Sequence, residues 1–153
     1  MKKFKFTYQV LLENAEELEQ ACAVKLKEIR DILSEAEKRK ETLSQQKNVL
    51  INKLQNKNGS QLNIHEFKES KIFIEELSQS ISIQEQEIQK LSIIEEERLT
   101  SLKEAKKQLN IYEKLKANQY KAYIDKIKKD EEKELEERIM YKYSNNSEVE
   151  KVE

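Results

Sequence analysis

The sequence predicts an all-α protein: two long helices forming an antiparallel coiled-coil hairpin, the second longer and overhanging. Three observations carry this reading. The 153 residues contain one Gly and no Pro, so the chain lacks the turn chemistry that a many-stranded or many-looped domain needs. Charged residues make up 39% and apolar ones 37%, the Glu/Lys/Leu-rich balance of helical rods and coiled coils. The single Gly lies in one short polar break, Asn56-Lys57-Asn58-Gly59-Ser60.

The break divides the chain. Asn and Gly accept the left-handed conformation that ends a helix, and Ser60 or Asn63 has the side chain to cap the next one. Helix one is expected over about 4–56, a turn over about 57–61 and helix two over about 62–143. A polar tail from Ser144 should fray over 144–153. The whole chain, 1–153, then reads as a single coiled-coil domain.

Helix one carries Ala15, Cys22, Ile29, Ala36, Leu43 and Leu50 at every seventh position. Helix two carries Phe67, Ile74, Ile81, Ile88, Leu102 and Leu109 on one heptad frame, broken only by Glu95. Such frames are the seams of a left-handed coiled coil. A turn centred between Asn58 and Gly59 pairs Leu50 with Phe67, Leu43 with Ile74, Ala36 with Ile81 and Ile29 with Ile88. The same register sets Ala15 against Leu102, Leu12 against Ala105 and Leu26 against Leu91. It makes Glu19–Arg98 a polar layer, leaves Cys22 facing Glu95 and places Phe4 level with Glu113. The seams alone also accept a shift of one heptad; the position of the turn selects this register.

In that register helix two outruns helix one by about 30 residues, or about 45 Å at the helical rise. The overhang is not uniformly polar. Leu115, Tyr120, Tyr123, Ile124, Ile127, Leu135 and Ile139 recur along it. An apolar stripe on a helix needs a cover, so these residues are expected to take a partner, another protein before a second copy. A second candidate surface lies early in helix two. Phe73, Leu77, Ser80 and Gln84 follow helical spacing, and the register places Phe73 opposite Ser44 and Leu77 opposite Lys40. That edge position suits either a docking patch or apolar groups shielded by a lysine stem.

Several function classes are excluded by what is missing. The net charge is −1, and no basic stripe marks a nucleic-acid partner. Cys22 is alone, so neither an internal disulfide nor a paired-cysteine zinc site is possible, and a reducing cytoplasm is the natural setting. Its seam position reads as core packing. His65 is the single histidine, placed just after the turn as a solvated or capping residue. No Gly-rich phosphate loop or catalytic constellation is present, and acidic runs such as Glu95-Glu96-Glu97 are solvated helix faces. A two-helix hairpin offers no pocket for a small-molecule ligand. The reading is therefore a non-enzyme without cofactor or metal. The apolar run Val10-Leu11-Leu12 is too short for a signal peptide, and no stretch approaches the roughly 20 apolar residues of a membrane span.

Three features together resemble the flagellar FliJ family: the start Phe4-Lys5-Phe6 followed by Val10-Leu11-Leu12, the lone break near Gly59, and the C-terminal run Tyr112-Glu113-Lys114-Leu115-Lys116 leading to Tyr120 and Glu132-Lys133-Glu134-Leu135-Glu136-Glu137. The resemblance implies a soluble coiled coil of the flagellar export apparatus, similar to the central stalk of rotary ATPases. It implies three partners: the hexameric flagellar export ATPase, the membrane-embedded export gate and export chaperones. It also implies a cytoplasmic protein held at the cytoplasmic face of the cell membrane through those partners, without inserting into it. On this resemblance Phe4, Phe6, Leu115, Tyr120, Tyr123, Ile124 and Ile127 are assigned to the ATPase contact. Phe73 and Leu77 match the apolar positions of the family's gate contact, while Ser80 and Gln84 depart from its usual residues. The alternatives are a prefoldin-like holdase chaperone, a structural coiled coil, or the equivalent stalk of a virulence type III secretion system. Prefoldin-like hairpins normally insert β-strands between their helices, and the short break leaves no room for them.

Overall fold

The computed structural model describes residues 2–56 and 63–152. It is all-α: helix α1 spans Gln9–Asn56 and helix α2 spans Ile64–Val152. The pair forms an antiparallel hairpin with the second helix the longer, as the heptads predict. The Lys57-Asn58-Gly59-Ser60 turn lies outside the described residues. Asn63 is the cap of α2: its carbonyl accepts from Phe67 N at 3.0 Å and its side-chain oxygen accepts from His65 N at 3.4 Å. The first is the opening bond of the helical ladder, and the second satisfies a donor that a helix start leaves free.

The chain divides into two compact units, Leu18–Ala105 and a second made of Met1–Glu17 with Lys106–Glu153. In the first, Leu26 and Ile29 of α1 pack with Leu102 of α2, and Cys22, Leu91 and Leu99 close around them. Leu33, Ala36 and Leu77 are also buried. Cys22 is a free, half-buried thiol in this seam, the packing role its heptad position implies.

The register differs from the one read from the turn. Arg30 pairs with Glu95 at 3.4 Å, not with Glu87, and Lys40 pairs with Glu85 at 3.3 Å, not with Leu77. The Gln84 amide donates to the carbonyl of Ala36 at 3.4 Å rather than lying level with Leu33. Arg98 donates to the carbonyl of Lys25 at 2.7 Å, so it forms no layer with Glu19, and Glu95 answers Arg30 instead of facing Cys22. Every one of these contacts brings a later α2 residue to a given α1 residue. Two causes act in that sense. The midpoint between Asn56 and Ile64 lies beyond the assumed turn centre. Side chains on both helices also lean toward their own N-termini, so tips that meet across an antiparallel pair come from later residues. Phe67, read as a seam residue, is accordingly at the edge, 39% exposed under the Lys71 ammonium, which lies 5.4 Å from its ring.

In the second unit, α1 begins five residues later than expected. Residues 2–6 are not helical. A turn bond from Gln9 N to the carbonyl of Phe6, 3.2 Å, and the first helical bond, Leu12 N to the carbonyl of Tyr8 at 2.9 Å, mark the change from extended chain to helix. At the other end α2 does not stop near Tyr143; it continues through Ser144-Asn145-Asn146 to Val152.

The register yields a direct test. In a Cys22→Ser background, cysteines at positions 36 and 84 should be bridged within one molecule by a short bis-maleimide. Cysteines at 43 and 74 should bridge markedly more slowly. The reverse order would restore the turn-centred register.

Candidate functional site

The sequence alternates over Lys2-Lys3-Phe4-Lys5-Phe6. In extended chain, residues two apart share a face, so Phe4 and Phe6 point one way and Lys3 and Lys5 the other. The structure uses this alternation. Phe6 is buried, 7% exposed, and its ring stands edge-on to Tyr8 at 6.0 Å. Phe4 sits on α2, its ring centroid 5.2 Å from Tyr120 at an interplanar angle of 77° and 5.5 Å from Tyr123. Tyr120 and Tyr123 are themselves 6.3 Å apart. The Tyr123 hydroxyl donates to the carbonyl of Lys2 at 2.5 Å. Residues 2–6 thus form a strap laid along α2, with Lys2, Lys3 and Lys5 exposed.

This strap corrects the expectation that Tyr120, Tyr123 and Ile127 lack an intramolecular partner. Phe4 lies level with Tyr120 and Tyr123, not with Glu113. The displacement is in the same sense as that of Arg30–Glu95 and Lys40–Glu85 and of similar size, so it follows from the register difference already described. Tyr123, Ile124, Ile127 and Leu115 are half-buried, and Tyr120 remains 50% exposed. An open groove runs on from the strap, lined by Phe4, Tyr123, Lys126 and Ile127 and closed at its far end by Asp130, Glu131 and Glu134.

The strap is held by Phe4, by Phe6 and by the hydrogen bond from Tyr123. Burying two phenylalanine side chains contributes at most about 3–6 kcal/mol, and the two aromatic pairs on Phe4 add about 1–3 kcal/mol together. Fixing five backbone residues costs about 5–10 kcal/mol. The favourable and unfavourable terms are of similar order.

Beyond the groove α2 is bare. Every described side chain from Lys128 onward is exposed. Leu135, Ile139 and Tyr143 are spaced by four, one helical face, and are 59%, 50% and 75% exposed. Met140 and Tyr141 beside them are 75% and 70% exposed. The uncovered apolar stripe of this unit therefore lies over 135–143, further along α2 than the Leu115–Ile127 stretch singled out from the sequence. Leu135 and Ile139 were visible in the pattern; what sequence reasoning missed is that the Phe-x-Phe start covers the residues before them.

The early α2 residues separate into two kinds. Leu77 is buried at 6%, and Gln84 is half-buried with its amide bonded to α1. Phe73 is 50% exposed and Ser80 is exposed. The four do not form one exposed face. Leu77 and Gln84, seven apart, belong to the seam, and Phe73 and Ser80, seven apart, flank it.

His65 is exposed, with Nε2 3.2 Å from the Glu69 carboxylate one turn on. Among the described residues no group of three or more His, Cys, Asp or Glu is arranged to hold a metal ion, and no helix is long and apolar enough to cross a membrane.

Comparison with known proteins returns one family, described as flagellar FliJ protein, matching residues 4–148. No curated protein and no solved structure matches the chain. The match runs from the Phe4 strap through both helices and past the exposed 135–143 stripe. The chain belongs to the flagellar FliJ protein family, coiled-coil components of the flagellar protein export apparatus.

Proposed function

We propose that this protein is the stalk of the export apparatus: its N- and C-terminal unit binds the hexameric export ATPase, and its other unit meets the membrane export gate and export chaperones. The carrying observation is the bare stripe of Leu135, Ile139 and Tyr143 on a helix without intramolecular cover. Leaving these side chains in water forgoes about 1.5–3 kcal/mol each relative to burying them, and a ring of subunits around α2 would recover that energy. The distal helix face is also an acidic surface, since 130–137 reads Asp-Glu-Glu-Lys-Glu-Leu-Glu-Glu, which suits a ring whose inner rim is basic.

The mechanism is linkage, without chemistry by this chain. A stalk that binds the assembled ring and not its separate subunits stabilises assembly in proportion to the logarithm of its occupancy. ATP hydrolysis then rises because more of the ATPase is hexameric. The gate contact falls to the exposed side of early α2, with Phe73 as its apolar anchor and Ser80 beside it. Leu77 supports that face from the seam. Held by these partners, the protein would work at the cytoplasmic face of the cell membrane.

Two measurements test this reading. A chain truncated after Glu132 keeps the strap and the Tyr120–Tyr123 face but loses the stripe. Its stimulation of the purified export ATPase should fall by about tenfold or more, equivalent to about 1.4 kcal/mol of binding, while its helical melting is unchanged. Undiminished stimulation would remove the ATPase contact from this end. For the gate, Phe73→Ala should weaken binding to the purified gate protein with stability altered by less than about 0.5 kcal/mol. Leu77→Ala should instead destabilise the hairpin by about 2–5 kcal/mol. If Phe73→Ala binds the gate normally, the face assigned to it is wrong.

A further inference from the structure

We propose that the unit Leu18–Ala105 pairs with a second copy of itself through one flank of its seam, α1 of each chain lying on α2 of the other. The inference goes beyond the stalk reading and does not depend on it. On α1 the flank is the column Leu18, Lys25, Ile32 and Arg39, spaced by seven. On α2 it is Phe73, Ser80, Glu87 and Ile94, also spaced by seven. Each of these residues stands one place before a seam residue, and in an antiparallel pair that common relation puts both columns on the same side. All of them are exposed, with Leu18 at 55%, Ile32 at 46%, Phe73 at 50% and Ile94 at 36%. The opposite flank is different in kind. Leu99 there is half-buried against the apolar cluster, and Arg30 and Glu85 are engaged with Glu95 and Lys40.

The charges say what fits the open flank. The α1 column carries Lys25 and Arg39 and no acid; the α2 column carries Glu87 and no base. Among the described residues Lys25, Arg39 and Glu87 enter no ion pair within the chain. The contacts Arg30–Glu95 and Lys40–Glu85 fix the level of the two helices, setting Ile32 near Ile94 and Arg39 near Glu87. A twofold axis along the hairpin lays α1 on α2 of the second copy at that same level. Ile32 then meets Ile94 of the partner subunit and Arg39 meets the partner's Glu87, each contact occurring twice. A twofold axis across the hairpin would lay α1 on α1 and set basic column against basic column, which like-charge repulsion disfavours. The product is a four-helix bundle in which neighbouring helices are antiparallel. Phe73 belongs to the paired flank, so the paired form withholds the residue assigned above to the gate; that consequence alone rests on the stalk reading.

Sedimentation of the purified full-length chain at rising concentration tests the pairing. The weight-average mass should climb from 18.2 kDa toward twice that value. Arg39→Glu and Glu87→Arg lie at exposed positions, so each should leave thermal melting unchanged while weakening self-association at least about tenfold. An equimolar mixture of the two single variants should pair as tightly as the unaltered chain, because the mixed dimer holds one native and one reversed contact of opposite charges. Neither variant keeps an attractive 39–87 pair within its own chain, so recovery in the mixture reads the contact between copies. A chain that stays monomeric at every concentration overturns the proposal. So do single variants that pair as well as the unaltered chain, or a mixture that does not recover.

Discussion

An apolar stripe on a water-exposed helix must be covered, and this constraint organises the protein. A helix of 89 residues meets a helix of 48, so the shorter helix cannot cover the longer. Along α2 the cover changes twice. Between Ile74 and Leu102 it is the seam of α1, with Leu26, Ile29 and Leu102 at its centre. Around Tyr120 and Tyr123 it is the extended strap with Phe4. From Lys128 onward there is none. Packing on an amphipathic face gives most helices in proteins their stability, so these three kinds of cover are also three levels of local stability along one helix.

That gradient connects structure to role. The stalk we propose would need a firm stretch and an adhesive one. The seam supplies firmness with apolar layers and a few surface ion pairs. Those pairs, Arg30–Glu95 and Lys40–Glu85, are partly exposed and worth little each; they report the register more than they hold it. The adhesive end is the stretch where α2 keeps apolar side chains in water. Exposed apolar surface of this kind is common at interaction sites, and the family match assigns the chain to the flagellar export apparatus.

The fold was legible because its signals are long. Heptads running from Ala15 to Leu50 and from Ile74 to Leu109 leave little choice of fold class, and Asn63 is one of the two caps the sequence offers. Register was less legible because a heptad frame repeats: the apolar pattern accepts neighbouring alignments, and a turn centre misplaced by one or two residues decides between them. Arg98 shows the cost. It pairs with a carboxylate on paper, yet the helix that faces it presents the carbonyl of Lys25. The strap was legible in a different period. Lys-Phe-Lys-Phe alternates by two, the signature of half-buried extended chain, but it adjoins a strong helical pattern and was absorbed into it. Leu77 and Phe73 illustrate the remaining ambiguity: at a seam edge, one heptad decides which apolar residue is core and which is free to bind.

Residue-resolved amide hydrogen exchange on the monomeric protein tests the central claim, that α2 is stabilised by whatever covers it. Protection should be greatest over Ile74–Leu102, intermediate over Gln119–Ile127, and close to that of an isolated helix beyond Asp130. Protection over Leu135–Tyr143 equal to that over Ile74–Leu102, in a chain shown to be monomeric, would contradict the account.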